Sequence, residues 1–221
     1  LSLKKFLKKQ KKIKTVILFP DNGYARIIKE KIKELDFKNY KTFVYSSDSK
    51  ILTGEIEKLT NYTQRKRNLE IRKNIVKKRD DEDSKKELKK LDQIYTIGKV
   101  DFDSVIVIDF GNRLKSVLSS LIFTDVNQDE VLFTTVNQWF DKSIFYENSL
   151  KELYYPSINY TNFDDYNKKY SKSFNKKPNE ITILAYDALG LIYYVWKDKK
   201  TIQSVKDFMV KEKIKGKIGT F

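Results

Sequence analysis

Asp109-Phe110-Gly111, inside "DFDSVIVIDFGNRL" (101–114), is the tripeptide with which protein kinases hold magnesium. Phosphoryl transfer by that route also needs a Gly-rich loop, a strand lysine and a catalytic loop built on His-Arg-Asp. The chain has no histidine and no G-x-G-x-x-G, so the tripeptide stands alone. A structural reading accounts for the same residues: Asp109 ends a buried strand, Gly111 permits a tight turn, and Asn112 can cap the following helix. In open parallel sheets, strand ends of this kind also form the rim of the ligand crevice.

The same logic selects Asp21, Asn22 and Tyr24 after the run "TVILFP", and Asn137, Gln138 and Trp139 after "VLFTTV". Polar and aromatic side chains at strand ends suit a small polar ligand. The expected rim is therefore Asn22, Tyr24, Asp109, Asn137 and Trp139. Other constellations fail on spacing. "DVNQDE" opens like a calcium loop, but Glu130 stands where glycine is required and Val136 where the bidentate glutamate belongs. Absence of His and Cys removes triad relays, zinc helices, thiolate sites and disulfides. No carboxylate pair is assigned to acid–base catalysis by its spacing. The expectation is a non-enzyme with no metal and no cofactor.

The chain has 221 residues, 40% of them hydrophobic, enough to bury a core. It carries 45 Lys and Arg against 30 Asp and Glu, a formal charge of +15. Lysine dominates, and the accompanying richness in Ile, Asn, Tyr and Phe is the bias of an AT-rich genome. Most of this charge is therefore expected on ordinary solvated surface, and no nucleic-acid partner is expected. No run approaches the roughly eighteen uncharged apolar residues of a membrane span. The opening "LSLKKFLKKQKKIK" is basic and amphipathic without a signal-peptide core, which gives the expectation of a longer protein whose targeting signal lies upstream.

Apolar periodicity places the elements that would position the rim. Strands are expected at Val16–Phe19, 41–47, 102–109, 130–136 and, with Pro156 marking an edge, 152–158. After the first strand, Asp21 or Asn22 caps a helix with Tyr24, Ile27, Ile28, Ile32 and Leu35 on one face. Leu114, Val117, Leu118, Leu121 and Ile122 make an amphipathic helix after Gly111. A long charged helical excursion runs over 49–93, with Leu69, Ile75 and Val76 as its weak apolar stripe. Arg65, Arg67, Arg72 and Lys73 on its basic portion, 64–79, are the expected contacts for an acidic protein partner, with nucleic-acid binding through the same helix as the lesser alternative. A weaker helix is expected near 142–150, and three helices close the chain: 162–174, "EITILAYDALGLIYYVWK", which reads as deeply packed, and a last one from Thr201. Strands alternating with helices predict an α/β fold with a doubly wound, mostly parallel, flavodoxin-like sheet.

Five segments taken in order, "TVILFPDNGYARIIKEKI", "LTNYTQRKRNLEIRK", "VDFDSVIVIDFGNRLKSVLSSLIFTDV", "VLFTTVNQWFD" and "FNKKPNEITILAYDALGLIYYVW", resemble the type I periplasmic solute-binding fold of leucine-binding proteins. Within it they are closest to the lipoprotein branch that activates penicillin-binding proteins. The matching positions are Asn61, Tyr62 and Arg65; Phe102 and Asp103; Trp139 and Asp141; and Tyr186, Asp187 and Ala188. The resemblance implies that residues 1–221 form one lobe of a two-lobed extracytoplasmic protein, with 1–14 as a lead-in helix and 201–221 as the start of the return to the other lobe. It implies a periplasmic location, attachment to the membrane only through an anchor outside the chain, and either a small polar molecule or a penicillin-binding protein as partner.

Overall fold

The computed structural model describes residues 2–35, 37–79, 81–138, 144, 150–157, 160–204, 208 and 216. The chain divides into two compact units, Leu1–Pro156 and Ser157–Phe221. No helix among the described residues is long and apolar enough to cross a membrane.

The first unit is built on four parallel strands, β1 (Thr15–Pro20), β2 (Tyr40–Tyr45), β3 (Ser104–Val107) and β4 (Leu132–Thr135), in the spatial order β2-β1-β3-β4. Every residue of β1 and β3 is buried. Central parallel strands covered on both faces need such continuous apolar runs. Of the helices between strands, α2 (Ala25–Glu34), α3 (Ser49–Leu59) and α6 (Gly111–Phe123) pack on the sheet, and α1 (Ser2–Lys9) precedes it. One face buries Val16, Leu18, Val105 and Val107 with Leu52, Ile56 and the Leu114, Val117, Leu118 and Leu121 stripe of α6. The other buries Ile17, Phe19 and Ile106 with Leu7, Ala25 and Ile32. Alternate strand residues thus go to opposite faces, and each fully buried Leu, Ile or Val stabilises by about 1.5–3 kcal/mol. This is the doubly wound, flavodoxin-like α/β architecture expected from the sequence.

Several local expectations change. The helix after β1 starts at Ala25, later than a cap at Asp21 or Asn22 would place it. Asn22 instead forms a turn, its Oδ1 accepting from Tyr24 N at 2.9 Å. Tyr24 and Ile27 point to solvent, and only Ala25 and Ile32 of α2 are buried. Asn112 does not cap α6. Phe110 is the cap residue, and Gly111 takes a positive φ of 57°. Of the expected strand 152–158, the described part, 152–157, contributes a single parallel bridge, Tyr154 to Thr134, because Pro156 has no N–H to extend a ladder. The expected helix near 142–150 lies outside the described residues apart from Ile144 and Leu150.

The charged excursion is three helices: α3, α4 (Tyr62–Lys77) and α5 (Glu82–Leu91). Asp81 caps α5 by accepting from Ser84 N at 2.6 Å. The apolar seam is Leu69, Val76 and Leu91, with Leu88 and Ile97 packed against it, whereas Ile75 is exposed. Seven residues separate Leu69 from Val76, two helical turns on one stripe, and Ile75 falls off it by about 100°.

The second unit holds α7 (Tyr160–Phe174) and α8 (Glu180–Lys199), the latter capped by Asn179, whose Oδ1 accepts from Thr182 N. Deep packing of α8 is not observed. Ile183, Asp187 and Val195 are buried, while Leu184, Tyr186, Leu189, Ile192, Tyr193, Tyr194 and Trp196 are exposed. Among the described residues of this unit α7 is the one other helix, and a single neighbour cannot cover a helix that is apolar on most sides. Residues 201–204 are not helical, and most of the final expected helix lies outside the described residues.

Candidate functional site at the carboxyl edge of the sheet

In the order β2-β1-β3-β4, the chain leaves β1 for one side and returns across it to β3. The switch point is between β1 and β3, where open parallel sheets bind ligands at their carboxyl ends. The flanking loops are 21–24 and 108–110, which contain three of the expected rim residues, Asn22, Tyr24 and Asp109.

Asp109 is only 4% exposed, and its carboxylate is fully engaged. Tyr45 Oη, from the end of β2, donates to Asp109 Oδ2 at 2.6 Å. The Phe110 amide donates to Asp109 Oδ1 at 2.8 Å, and Arg113 Nε, one turn into α6, stands 3.6 Å from the same oxygen. Burial, followed by the bond to Asp109, raises the Tyr45 phenol well above its ordinary pKa, so it remains a donor. Gln138, fully buried beyond β4, donates Nε2 to the Asp109 carbonyl at 3.0 Å. One residue thereby joins the ends of β2, β3 and β4.

Two further contacts tie the β1 loop into this edge. Asp21 N donates to the Tyr45 carbonyl at 2.7 Å, and Ser47 Oγ donates to the Asp21 carbonyl at 3.1 Å. With the frame so fixed, Tyr24 (69% exposed) and Phe110 (47% exposed) offer open aromatic surface on the two sides of the switch point. Arg113, about half exposed, supplies a cation beside them. The Oε1 of Gln138 has no hydrogen-bond partner among the described residues. A buried acceptor left this way costs about 1–3 kcal/mol unless a donor reaches it.

The rim expectation thus divides. Tyr24 is accessible at the edge, Asn22 shapes its turn, and Asp109 is a buried anchor instead of an open ligand contact. Asn137 is half-buried and engaged in an interaction, and Trp139 lies outside the described residues. Sequence reasoning missed Tyr45 and Arg113. The first had a usable signal, since a tyrosine at the end of an apolar strand brings a hydroxyl that must find a partner when buried. Arg113 had a weaker one, being four residues beyond Asp109 at helical spacing.

The basic helix divides in the same way. Arg65, expected at a partner surface, is 7% exposed and turned inward. Its Nη1 donates to the Thr124 carbonyl at 3.1 Å, its Nη2 to the Asp125 carbonyl at 2.7 Å and to Thr96 Oγ1 at 2.8 Å, and its Nε to the Gly98 carbonyl at 3.0 Å. It therefore ties α4 to the carboxyl end of α6, where the helix dipole favours a cation. Arg72 pairs with Glu87 at 2.5 Å and Lys73 with Asp92 at 2.9 Å, both within the α4–α5 hairpin. Of the four expected contacts, Arg67 stands exposed, and no ion pair holds it among the described residues.

The other positions that carried the resemblance are structural where they are described. Asn61 takes the left-handed conformation at the start of α4, and Tyr62 packs on Phe123 with ring centroids 5.9 Å apart. Asp103 receives Ile13 N at 2.7 Å and Lys14 N at 3.1 Å, fixing the entry into β1. Tyr186 packs on Tyr166 with centroids 5.3 Å apart, Asp187 is buried, and Asp141 lies outside the described residues. Against known proteins, no family model matches the chain and no curated protein matches it.

Proposed function

We propose that the chain is a non-catalytic binding lobe that takes a small polar ligand at the carboxyl edge of its sheet. The reading rests on one observation: accessible Tyr24, Phe110 and Arg113 flank a switch point whose frame is locked by the buried Tyr45–Asp109 bond. Aromatic faces with one nearby cation suit a polar ligand carrying a negative or hydrogen-bond-accepting group. The Asp109 carboxylate is consumed by internal donors, so this residue holds the frame and is not the free general base that catalysis from its position would need. The likeness to the type I periplasmic fold extends the proposal to a two-lobed periplasmic protein that closes by hinge motion over its ligand and regulates a penicillin-binding protein.

A thermal-shift screen of amino acids, sugars and peptidoglycan fragments against the whole chain tests the proposal. The expected result is a saturable stabilisation that Tyr24→Ala and Phe110→Ala each weaken without changing the unliganded melting temperature. Stabilisation that persists in both variants would place the ligand elsewhere, and turnover of a ligand would overturn the non-catalytic reading.

The second reading, partner binding through α4, keeps Lys66, Arg67 and Lys77 as its exposed surface, with Arg65 withdrawn from it. Charge reversal at Lys66 and Arg67 tests it more cleanly than deletion of the excursion, which would remove the Arg65 bonds to the end of α6.

A further inference from the structure

The amino-terminal edge of the sheet is built from different chemistry. There α1, the link to β1 and the turn before β2 enclose a groove of about 600 Å³ whose lining includes Lys4, Lys8, Lys11, Lys12, Lys38 and Ile13, and no Asp or Glu. Two of these lysines reach carbonyls, Lys4 Nζ to Leu35 at 2.7 Å and Lys12 Nζ to Glu130 at 2.9 Å. The described carboxylates of this edge are engaged elsewhere: Asp101 by Lys14 and Lys41 at 2.8 and 2.9 Å, Glu130 by Lys99 at 2.8 Å, and Asp103 by the Ile13 and Lys14 amides at 2.7 and 3.1 Å. The two lysines hold the Asp101 carboxyl down to about 2, so it stays committed to them at any physiological pH. Among the described residues no carboxylate pairs with Lys8, Lys11 or Lys38.

Elsewhere on the molecule lysines and carboxylates interleave, as on α4 and α5, where Lys73 meets Asp92 and Arg72 meets Glu87. The groove gathers its lysines without an intervening carboxylate, and its lining includes an open apolar residue: Ile13 is 63% exposed. We propose that this edge docks the protein on an anionic phospholipid surface, the lysines meeting headgroup phosphates and Ile13 entering the interfacial layer. Lysines grouped with an exposed aliphatic side chain are the signature of interfacial membrane contact. A nucleic-acid backbone would reward the lysines but not Ile13, and the lining holds no arginine with which to read bases. The six residues of β1 span roughly 20 Å, so a protein docked by this edge keeps the Tyr24 and Phe110 edge directed away from the lipid. The inference stands whatever the carboxyl edge binds.

Sedimentation of the whole 221-residue chain with vesicles tests it. Vesicles of phosphatidylethanolamine and phosphatidylglycerol are expected to bind the chain, and phosphatidylcholine vesicles are not. Each lysine near an anionic surface strengthens binding about fivefold, so the triple variant K8Q/K11Q/K38Q should lower the partition coefficient on the order of 100-fold. Ile13→Ser should lower it without any change in charge. The comparison variant K66Q/R67Q/K77Q removes the same charge from α4 and should bind nearly as well as the unaltered chain. Far-ultraviolet circular dichroism checks that all variants fold. Equal losses in the two triple variants would reduce the effect to net charge and overturn the proposal. So would an absence of binding to anionic vesicles, or binding to inorganic polyphosphate or duplex DNA that depends on the groove lysines while vesicle binding does not.

Discussion

Tyr45 and Asp109, 64 residues apart, meet in a buried hydrogen bond of 2.6 Å that ties the end of β2 to the end of β3. The two strands are not neighbours, because β1 lies between them. The bond therefore spans the strand whose loop carries Tyr24 and holds both sides of the candidate binding edge in register.

Tyr45→Phe keeps the ring and removes the donor, leaving a buried carboxylate short of one partner. The expected cost is about 1–3 kcal/mol, read as a lower urea midpoint with an unchanged slope. A pH dependence follows. The folded phenol titrates above its ordinary value of 10.0, so its contribution is complete below that pH. The contribution is lost progressively as pH rises from there toward the folded pKa. The stability gap between the wild-type chain and Tyr45→Phe should be constant at neutral pH and shrink above pH 10. A gap that widens in alkali would contradict the assignment of Tyr45 as the donor.

Arg65→Ala removes four hydrogen bonds and leaves unpaired the Thr124 and Asp125 carbonyls at the end of α6 and the Gly98 carbonyl in the loop before β3. The expected loss is roughly 3 kcal/mol, since the bonds to Thr124 and Thr96 are buried and an acceptor left unmade there is costly. Arg65→Lys should recover less than half, because an ammonium cannot reproduce the planar fork that reaches all these acceptors. Thermal unfolding of the pair decides the point: full rescue by lysine would reduce Arg65 to a simple charge.

The divided fate of the basic helix shows what was legible in the sequence. Runs such as "SVIV" and the stripe Leu114, Val117, Leu118 and Leu121 reported the sheet and its covering helix directly, because burial on a regular element leaves a period. Strand-end polar residues likewise pointed to the carboxyl edge. Arg65 leaves no such trace: on "YTQRKRNLEIRK" it is one cation among five, and only the tertiary position of Thr96, Gly98 and Asp125 turns it inward. The inversion of Asp109 from open rim to buried anchor has the same origin, since its partner Tyr45 arrives from a distant strand. For α8, composition predicted apolarity correctly, but burial depends on neighbours that sequence periodicity does not count.

Gly111 opens α6 at φ 57°, immediately after the aromatic residue that faces the switch point. A side chain there meets the left-handed penalty of about 1–2 kcal/mol, which asparagine tolerates better than alanine. Gly111→Ala should therefore destabilise more than Gly111→Asn in chemical denaturation. Because the turn also sets Phe110, Gly111→Ala should weaken ligand binding more than its stability cost alone explains.

The exposed apolar side chains of α8 carry the last expectation. Leu189 and Ile192 are 66% and 43% exposed, and Leu189 lines an apolar groove of about 380 Å³ between α7 and α8 with Tyr166, Tyr170, Phe174 and Tyr186. Exposed apolar surface of this extent binds environment-sensitive dyes and favours association. The isolated chain should enhance the fluorescence of an anilinonaphthalene sulfonate dye, and the double variant L189K/I192K should reduce that enhancement severalfold. Each substitution adds positive charge and would by itself attract the anionic dye, so a fall in signal can come only from lost apolar surface. Neither side chain is buried, so the variant should keep its unfolding midpoint within about 0.5 kcal/mol of the parent. A larger loss of stability would mean that these residues pack against part of the protein in solution, returning α8 to the buried role its composition implies.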